Sequence, residues 1–432
     1  MAATGKTGRM SALSSRLFRQ GVVRATLVGN AFRPRQRNRA LTIPSFFAGW
    51  LTTEAAPIVT AAWGLTTLRE LRRKDGGLTA ADKVGLALSA ASVVGMAGLV
   101  REGLRSGEQL DAALAPEVPA DELAEAPRAM RAGAVLPVLM GNRRRSITRN
   151  LTYATPDGHR LRLDVYEPLH DARPGERRPA VLQIHGGGWV IGSKDQQGIP
   201  LLNHLASCGW VGFNIDYRLS PKVRYPDHLI DCKRALAWIR EHADEYSVDP
   251  DFVVVTGGSA GGHLCALVAL TQNDERFQPG FEQADTSVQA AVPFYGVYDM
   301  LDRNGDHNEV FTNFVERMVM GVSPEQDEEL WRNYSPLDHV RADAPPMFVV
   351  HGDRDVLVPV GGARKFVEAL RAVSDSPVLY AEMVGGQHAF EVFPSARAVR
   401  TVEAVERFLH HEHEQYLAAR AARGVPVPVA GA

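Results

Sequence analysis

The stretch DFVVVTGGSAGGHLCALVAL, residues 251–270, decides the fold. Its first six residues are mostly β-branched or aromatic and apolar, the signature of a buried strand, and its last seven are apolar and read as a helix. Between them Gly257, Gly258, Ser259, Ala260, Gly261 and Gly262 force a tight strand-to-helix turn. Small neighbours permit a strained backbone there, and the Ser259 hydroxyl is held out at the positive end of the helix. With 39 glycines in 432 residues, a serine between glycines is a common accident. The strand before it and the helix after it are what give the pattern meaning.

The same texture continues on both sides. RLRLDVYEP (160–168) alternates like a half-exposed strand, and PAVLQIHGG, WVGFNIDY, VQAAVPFYG, PMFVVHGD and PVLYAEMVGG read as buried central strands. Helical periodicity marks residues 228–246, 261–272, 360–373 and 395–416. Strands that alternate with helices predict an α/β fold: a mostly parallel sheet, covered by helices on both faces and linked by right-handed crossovers. Reactive groups in such a sheet collect at the carboxyl ends of the strands. The interval 297–340 is too long for a simple connection and is rich in large apolar residues, so a cap insertion is expected there.

Chemistry-bearing residues sit where that fold needs them. His185-Gly186-Gly187-Gly188-Trp189 ends the strand AVLQI, and consecutive glycines let backbone amides approach a developing oxyanion. The expected donors are the amides of Gly186, Gly187 and Ala260. Phosphate-binding glycine loops are excluded by spacing, since neither GxxxxGK[ST] nor GxGxxG fits. Serine is a poor nucleophile at neutral pH, so an imidazole must take its proton and a buried carboxylate must fix the imidazole's tautomer. Asp355 follows the strand PMFVVHGD and His388 follows VLYAEMV, in the order Ser, acid, His. A turn-capping role is the alternative for Asp355, and Asp353 is the second choice for the acid.

Other features are negative. The clustered His410, His411 and His413 lack matching carboxylates or cysteines and read as an exposed helix face, so no metal and no cofactor is assigned. Cys208, Cys232 and Cys265 have no CxxC spacing and read as buried thiols. A net charge of -2 gives no reason to expect nucleic acid.

The N-terminal third differs. Residues 1–53 hold no Asp or Glu but carry Lys6, Arg9, Arg16, Arg19, Arg24, Arg33, Arg35, Arg37 and Arg39. Residues 1–40 are therefore read as a basic arm suited to anionic lipid or to a transit role, with a solvated tail as the alternative. Two apolar stretches follow within 41–105. Ile43 to Leu68 is interrupted by Glu54 and Pro57, and Val84 to Val100 is uncharged, reaching roughly 26 Å as a helix. Membrane attachment is expected from them, and a helical hairpin buried against the catalytic domain is the alternative. If only the second stretch spans, the catalytic domain faces outward; if both span, it faces the cytoplasm. Arg69, Arg72, Arg73, Lys74 and Lys83 favour the first arrangement. Residues 106–146 read as a linker ending in Arg143, Arg144 and Arg145, residues 147–415 as the catalytic domain, and 416–432 as a tail.

Taken together, HGGGW, DYRLSPKVRYPDHLIDCKRALAWIREHADEYSVDP, GGSAGGHLCAL, HGDRDVLVP and GGQHAF resemble the hormone-sensitive-lipase-like branch of the α/β-hydrolases, which includes bacterial carboxylesterases and related arylformamidases. The resemblance covers about residues 147–415. It implies a serine hydrolase that cleaves short to medium acyl esters through an acyl-enzyme, with the triad on Ser259, Asp355 and His388. It also implies a small-molecule ester or lipid substrate; the basic arm and apolar stretches lie outside the shared domain, but the family includes membrane-tethered bacterial esterases with such extensions, and a bacterial cell membrane is the expected location. An arylformamidase-like amide hydrolase is the alternative activity, and a catalytically dead binding module the alternative class. Gly258 departs from the branch, which usually has Asp before the nucleophile.

Overall fold

The protein is described from a computed structural model over residues 15–34, 41–119, 145–307, 309–393 and 395–425. Lys6, Arg9, Arg35, Arg37 and Arg39 of the basic arm, Arg143 and Arg144 with most of the linker, and the tail from 426 onward lie outside the described residues.

Four helices precede the sheet: α1 (Arg16–Phe32), α2 (Thr42–Glu54), α3 (Ala56–Arg72) and α4 (Ala80–Leu114). The sheet follows with β1 (Arg145–Ala154), β2 (Leu161–Pro168), β3 (Arg178–Ile184), α5 (Ile199–Ser207), β4 (Val211–Ile215), α6 (Asp227–Glu241), β5 (Val248–Gly258) and α7 (Ala260–Leu270). After β6 (Ala291–Phe294) comes the insertion, with α8 (Glu309–Phe314), a π-turned continuation (Val315–Met320) and α9 (Glu328–Asn333). The chain ends with β7 (Met347–Gly352), α10 (Gly361–Val373), β8 (Val378–Met383) and α11 (Ala396–Ala422).

The strands form one sheet in the order β1-β2-β4-β3-β5-β6-β7-β8. β1 and β2 run antiparallel at one edge, and every pairing from β4–β3 onward is parallel. Successive side chains of a central strand point to opposite faces. Accordingly Ala180 and Leu182 of β3 join a core with α6, α7 and α10, while Val181 joins a second core with α5, α11 and the end of α4. All seven segments read as strands are strands. β1 escapes the alternation rule because Asn150 takes φ 61° and two register shifts interrupt its pairing with β2.

The N-terminal region corrects several expectations. The described part of the basic arm is a helix, because Leu17, Gly21, Arg24, Val28 and Ala31 form one buried face. Gly21 and Gly85 let α1 and α4 touch along their backbones: a Cβ on Gly21 would lie 2.3 Å from the Gly85 carbonyl oxygen. Arg24 is not offered to solvent but donates to Thr66 Oγ1 (2.8 Å), Thr67 Oγ1 (2.6 Å), Ser89 Oγ (3.0 Å) and the Trp63 carbonyl (3.0 Å). The first apolar stretch is not one span, since Pro57 in the first turn of α3 divides it from α2. The linker does not begin at 106. Helix α4 runs on to Leu114 because Ser106, Leu110 and Leu114 are buried on its inner face, and Asp111 pairs with Arg407 of α11. At the other end α11 runs past residue 416, where Leu417 is buried, Tyr416 donates to Asp249 (3.0 Å) and Arg420 pairs with Asp251 (2.8 Å).

Candidate active site

The turn after β5 places Ser259 at φ 60° and ψ -121°, a conformation that costs a non-glycine residue on the order of 1–3 kcal/mol and is held by its surroundings. Those surroundings require glycine. A Cβ on Gly261 would sit 2.1 Å from the Ile184 carbonyl oxygen, and one on Gly257 would sit 2.5 Å from the Gly261 carbonyl oxygen. The Ser259 amide donates to the Phe294 carbonyl (3.0 Å), fixing the turn to the end of β6.

Ser259 Oγ lies 2.8 Å from His388 Nε2, and His388 Nδ1 lies 2.6 Å from Asp355 Oδ2. The other Asp355 oxygen accepts from the amides of Leu357 and Val358, both at 2.8 Å. Asp355 is buried, which opposes its charge, but His388 and the nearby His351 outweigh that penalty and hold the carboxyl below its ordinary range. Asp353, the second choice, instead accepts from the Gly385 amide (2.7 Å) and so anchors the start of the His388 loop.

One of the three expected amide donors is already used. The Gly186 amide donates to Gln197 Oε1 at 2.6 Å, so it does not face the Ser259 hydroxyl as a free donor. This corrects the expectation for Gly186. The amides of Gly187 and Gly188 make no hydrogen bond among the described residues, and that of Ala260, at the first position of α7, has no carbonyl partner within the helix. Gly187 and Gly188 take φ 122° and 59°, and Phe314 of the insertion lies against Gly188, 3.3 Å from where a Cβ would stand. The cap therefore covers the glycine loop, while its residues Val315, Val319, Met320 and Trp331 are buried in the core.

Gly258 has a local explanation. A Cβ there would lie 2.6 Å from the Tyr295 hydroxyl, and that hydroxyl donates to Glu391 Oε1. The Tyr295 ring is 4.6 Å from the His388 ring. Sequence pattern alone did not select Tyr295, Glu391 or Gln197, because each acts only through contacts between distant segments. Of the outlying histidines, His413 packs on Phe252 (4.7 Å between ring centroids), and among the described residues no cluster of His, Cys, Asp and Glu is arranged to hold a metal.

Burial pushes the Glu391 carboxyl up to about 7, against the opposing hydrogen bond from Tyr295. A group whose folded pKa is raised contributes stability that is fully present below its ordinary value of about 4.5 and is lost as pH rises through about 7. The thermal midpoint is expected to fall between about pH 4.5 and about pH 7, and Glu391→Gln, neutral throughout, to flatten part of that fall. Glu406 and Glu412, also pushed up to about 7 by burial, supply the remainder. An unchanged pH slope in Glu391→Gln, followed by scanning fluorimetry, would contradict this.

A family model described as BD-FAE matches residues 163–370. The chain is 42% identical over 400 residues to the probable carboxylic ester hydrolase LipM of Mycobacterium tuberculosis, a match covering 90% of this chain and 91% of that protein. The chain belongs to the hormone-sensitive-lipase-like family of α/β-hydrolase esterases. Another member of this family, the esterase LipQ of the same organism, is 42% identical over 294 residues, covering 67% of this chain and 69% of LipQ. Among solved structures, the butyrate-bound esterase Est2 of Thermogutta terrifontis superimposes with a TM-score of 0.52 at 30% identity, covering 62% of this chain and 94% of that one. Because the LipM match takes in 90% of the chain, most of the N-terminal helical region is shared with a family member and is not peculiar to this sequence.

Proposed function

We propose that this protein hydrolyses carboxylic esters of short to medium acyl chains through an acyl-enzyme, with Ser259 as nucleophile, His388 as general base and Asp355 as the orienting acid. The observation that carries the reading is the continuous relay Ser259 Oγ to His388 Nε2 (2.8 Å) and His388 Nδ1 to Asp355 Oδ2 (2.6 Å). His388 takes the hydroxyl proton as Ser259 Oγ bonds to the ester carbonyl carbon. The amides of Gly187, Gly188 and Ala260 stabilise the resulting oxyanion, each such donor being worth about 3 kcal/mol to the transition state. His388 then returns the proton to the departing alcohol, and water, deprotonated by the same imidazole, releases the acid and restores Ser259.

Relatives named as ester hydrolases favour this reading over formamide hydrolysis. Phe314 lies against the glycine loop, 3.3 Å from where a Cβ on Gly188 would stand, and in this proposal it narrows the space beside the oxyanion donors. Rates on a series of p-nitrophenyl esters are expected to peak at short to medium chains, and a peak confined to the longest chains would sink the chain-length part of the proposal.

The N-terminal helices serve, in this proposal, as a lipid contact. One described helix, Ala80–Leu114, is long and apolar enough to cross a membrane. Among the described residues, 13 of the 19 large apolar side chains left exposed lie between Val22 and Leu104, including Val93 at 44% and Val94 at 74%. Exposed basic residues Arg69, Arg72 and Arg73 flank them. Patches of this kind mark membrane or partner contacts, and the charges select an anionic bilayer. Full-length protein is expected to float with anionic liposomes, and Val94→Asp, which places a charge on the patch, to lower the bound fraction about tenfold. Protein that stays at the bottom of the gradient with every lipid composition would contradict it.

A further inference from the structure

Helix α2 lies outside the residues that the sequence assigns to the catalytic domain, yet it packs on the loop that carries His388. Trp50 Nε1 donates to the Ala389 carbonyl (2.8 Å), and the Trp50 ring stacks on Phe393 with centroids 4.9 Å apart. Phe46, only 6% exposed, presents its ring edge-on to the His388 imidazole at 6.1 Å. Gly49 comes so close that a Cβ there would be 3.0 Å from Gln387 Nε2. At the end of the helix, Glu54 accepts from Ser395 Oγ (2.6 Å) and pairs with Arg397 (3.3 Å). The helix thus touches the residue before His388, His388 itself, the residue after it, and the segment beyond.

The loop needs such support. Ala389 takes φ 57°, a conformation that costs a residue with a side chain about 1 kcal/mol or more and persists only where neighbours hold it. From within the catalytic domain the loop is tied by Asp353 to the Gly385 amide and by Glu391 to Tyr295. Between those ties, the carbonyl of Ala389 accepts from Trp50 Nε1 at 2.8 Å and, at the longer distance of 3.4 Å, from the Val392 amide. An imidazole that must meet Ser259 on one side and Asp355 on the other tolerates little displacement, since about 1 Å of misplacement can cost a hundredfold in rate.

We infer that α2 is a positioning element for the general base, with Trp50 as its principal positioning residue and Phe46 as a wall of the site beside the imidazole. The inference rests on His388 acting as the base, as proposed above. It assigns to the N-terminal helical region a part in turnover itself, in addition to any lipid contact.

The test uses the full-length protein with p-nitrophenyl butyrate as soluble substrate and a fluorophosphonate as covalent probe of Ser259. Trp50→Phe keeps a ring against Phe393 and removes the N–H donor together with part of the indole's packing area. It is expected to lower kcat about fivefold with KM little changed, the rate equivalent of one ordinary hydrogen bond. Fluorophosphonate labelling should slow in parallel, the acid limb of the pH–rate profile should move, and the thermal midpoint should stay near that of the parent. Trp50→Ala, which also removes the stacking, should fall further, by about tenfold or more. Val373→Ser, at an exposed position at the end of α10, should leave all of these unchanged. If Trp50→Ala folds poorly, Trp50→Phe decides alone. Rates within about twofold of the parent in Trp50→Phe, less than one hydrogen bond is worth, would overturn the inference. A loss that disappears when rates are normalised to folded protein would show a merely structural role and overturn it equally. Failure of the underlying reading is recognised separately: the folded parent would then take no label at Ser259, and the inference would fall with it.

Discussion

Ser259→Ala is expected to lower kcat on p-nitrophenyl butyrate by about a million-fold while leaving the thermal midpoint close to that of the parent. The magnitude follows from the interdependence of the three groups: without the nucleophile the imidazole and carboxylate have nothing to activate, and only residual stabilisation by the backbone amides remains. The substitution removes a single oxygen from a side chain whose backbone is already fixed by the Phe294 carbonyl and the neighbouring glycines, so the fold has no reason to change. Alanine at this φ carries the same strain as serine. Full turnover in Ser259→Ala, measured with protein cleared of any contaminating host esterase, would remove the basis for every step proposed above.

The second large effect concerns the acid. Asp355→Asn is expected to lower kcat by about ten-thousandfold, because an amide in place of the carboxylate neither holds the productive imidazole tautomer nor stabilises the imidazolium that forms during proton transfer. Asp355 Oδ1 is occupied by the amides of Leu357 and Val358, so the asparagine side chain can keep its oxygen there only by turning its NH2 toward His388 Nδ1. That arrangement requires the proton to sit on Nε2, where it blocks acceptance from Ser259. Asp353→Asn provides the contrast. Asp353 faces the Gly385 amide and not the imidazole, and asparagine retains an acceptor oxygen for it, so the loss there should stay below about tenfold. Equal losses in the two variants would contradict the assignment of the acid.

How much of this was legible from the sequence varied with how local the determinants are. The strand DFVVVT, the glycine turn and the helix from Ala260 form one contiguous unit, and its pattern sufficed to place Ser259 at the carboxyl end of a central strand. The positions of Asp355 and His388 after later strands followed from the same alternation. Other features depend on contacts between segments far apart in the chain. Gly186 looks like a free donor until Gln197, folded back over it, takes its amide. Arg24 reads as part of a solvated basic arm until the hydroxyls of Thr66, Thr67 and Ser89 are brought round it. The extension of α4 through Leu114 is hidden because its sequence there is acidic and alanine-rich, and only its docking on α11 and the sheet makes Ser106, Leu110 and Leu114 an inner face. Trp50 is the extreme case: it lies 339 positions from the carbonyl it holds. Periodicity reports a helix's own faces, and it carries no information about which distant loop one of those faces will meet.

Whether Ser259 is an activated nucleophile can be read directly by covalent labelling. Full-length protein is treated with a fluorophosphonate, digested, and the adduct located by mass spectrometry. One adduct is expected, on the peptide containing Ser259, absent in Ser259→Ala and formed far more slowly in His388→Ala. Folded protein that takes no label, or takes it at another residue, would rule out Ser259 as the nucleophile.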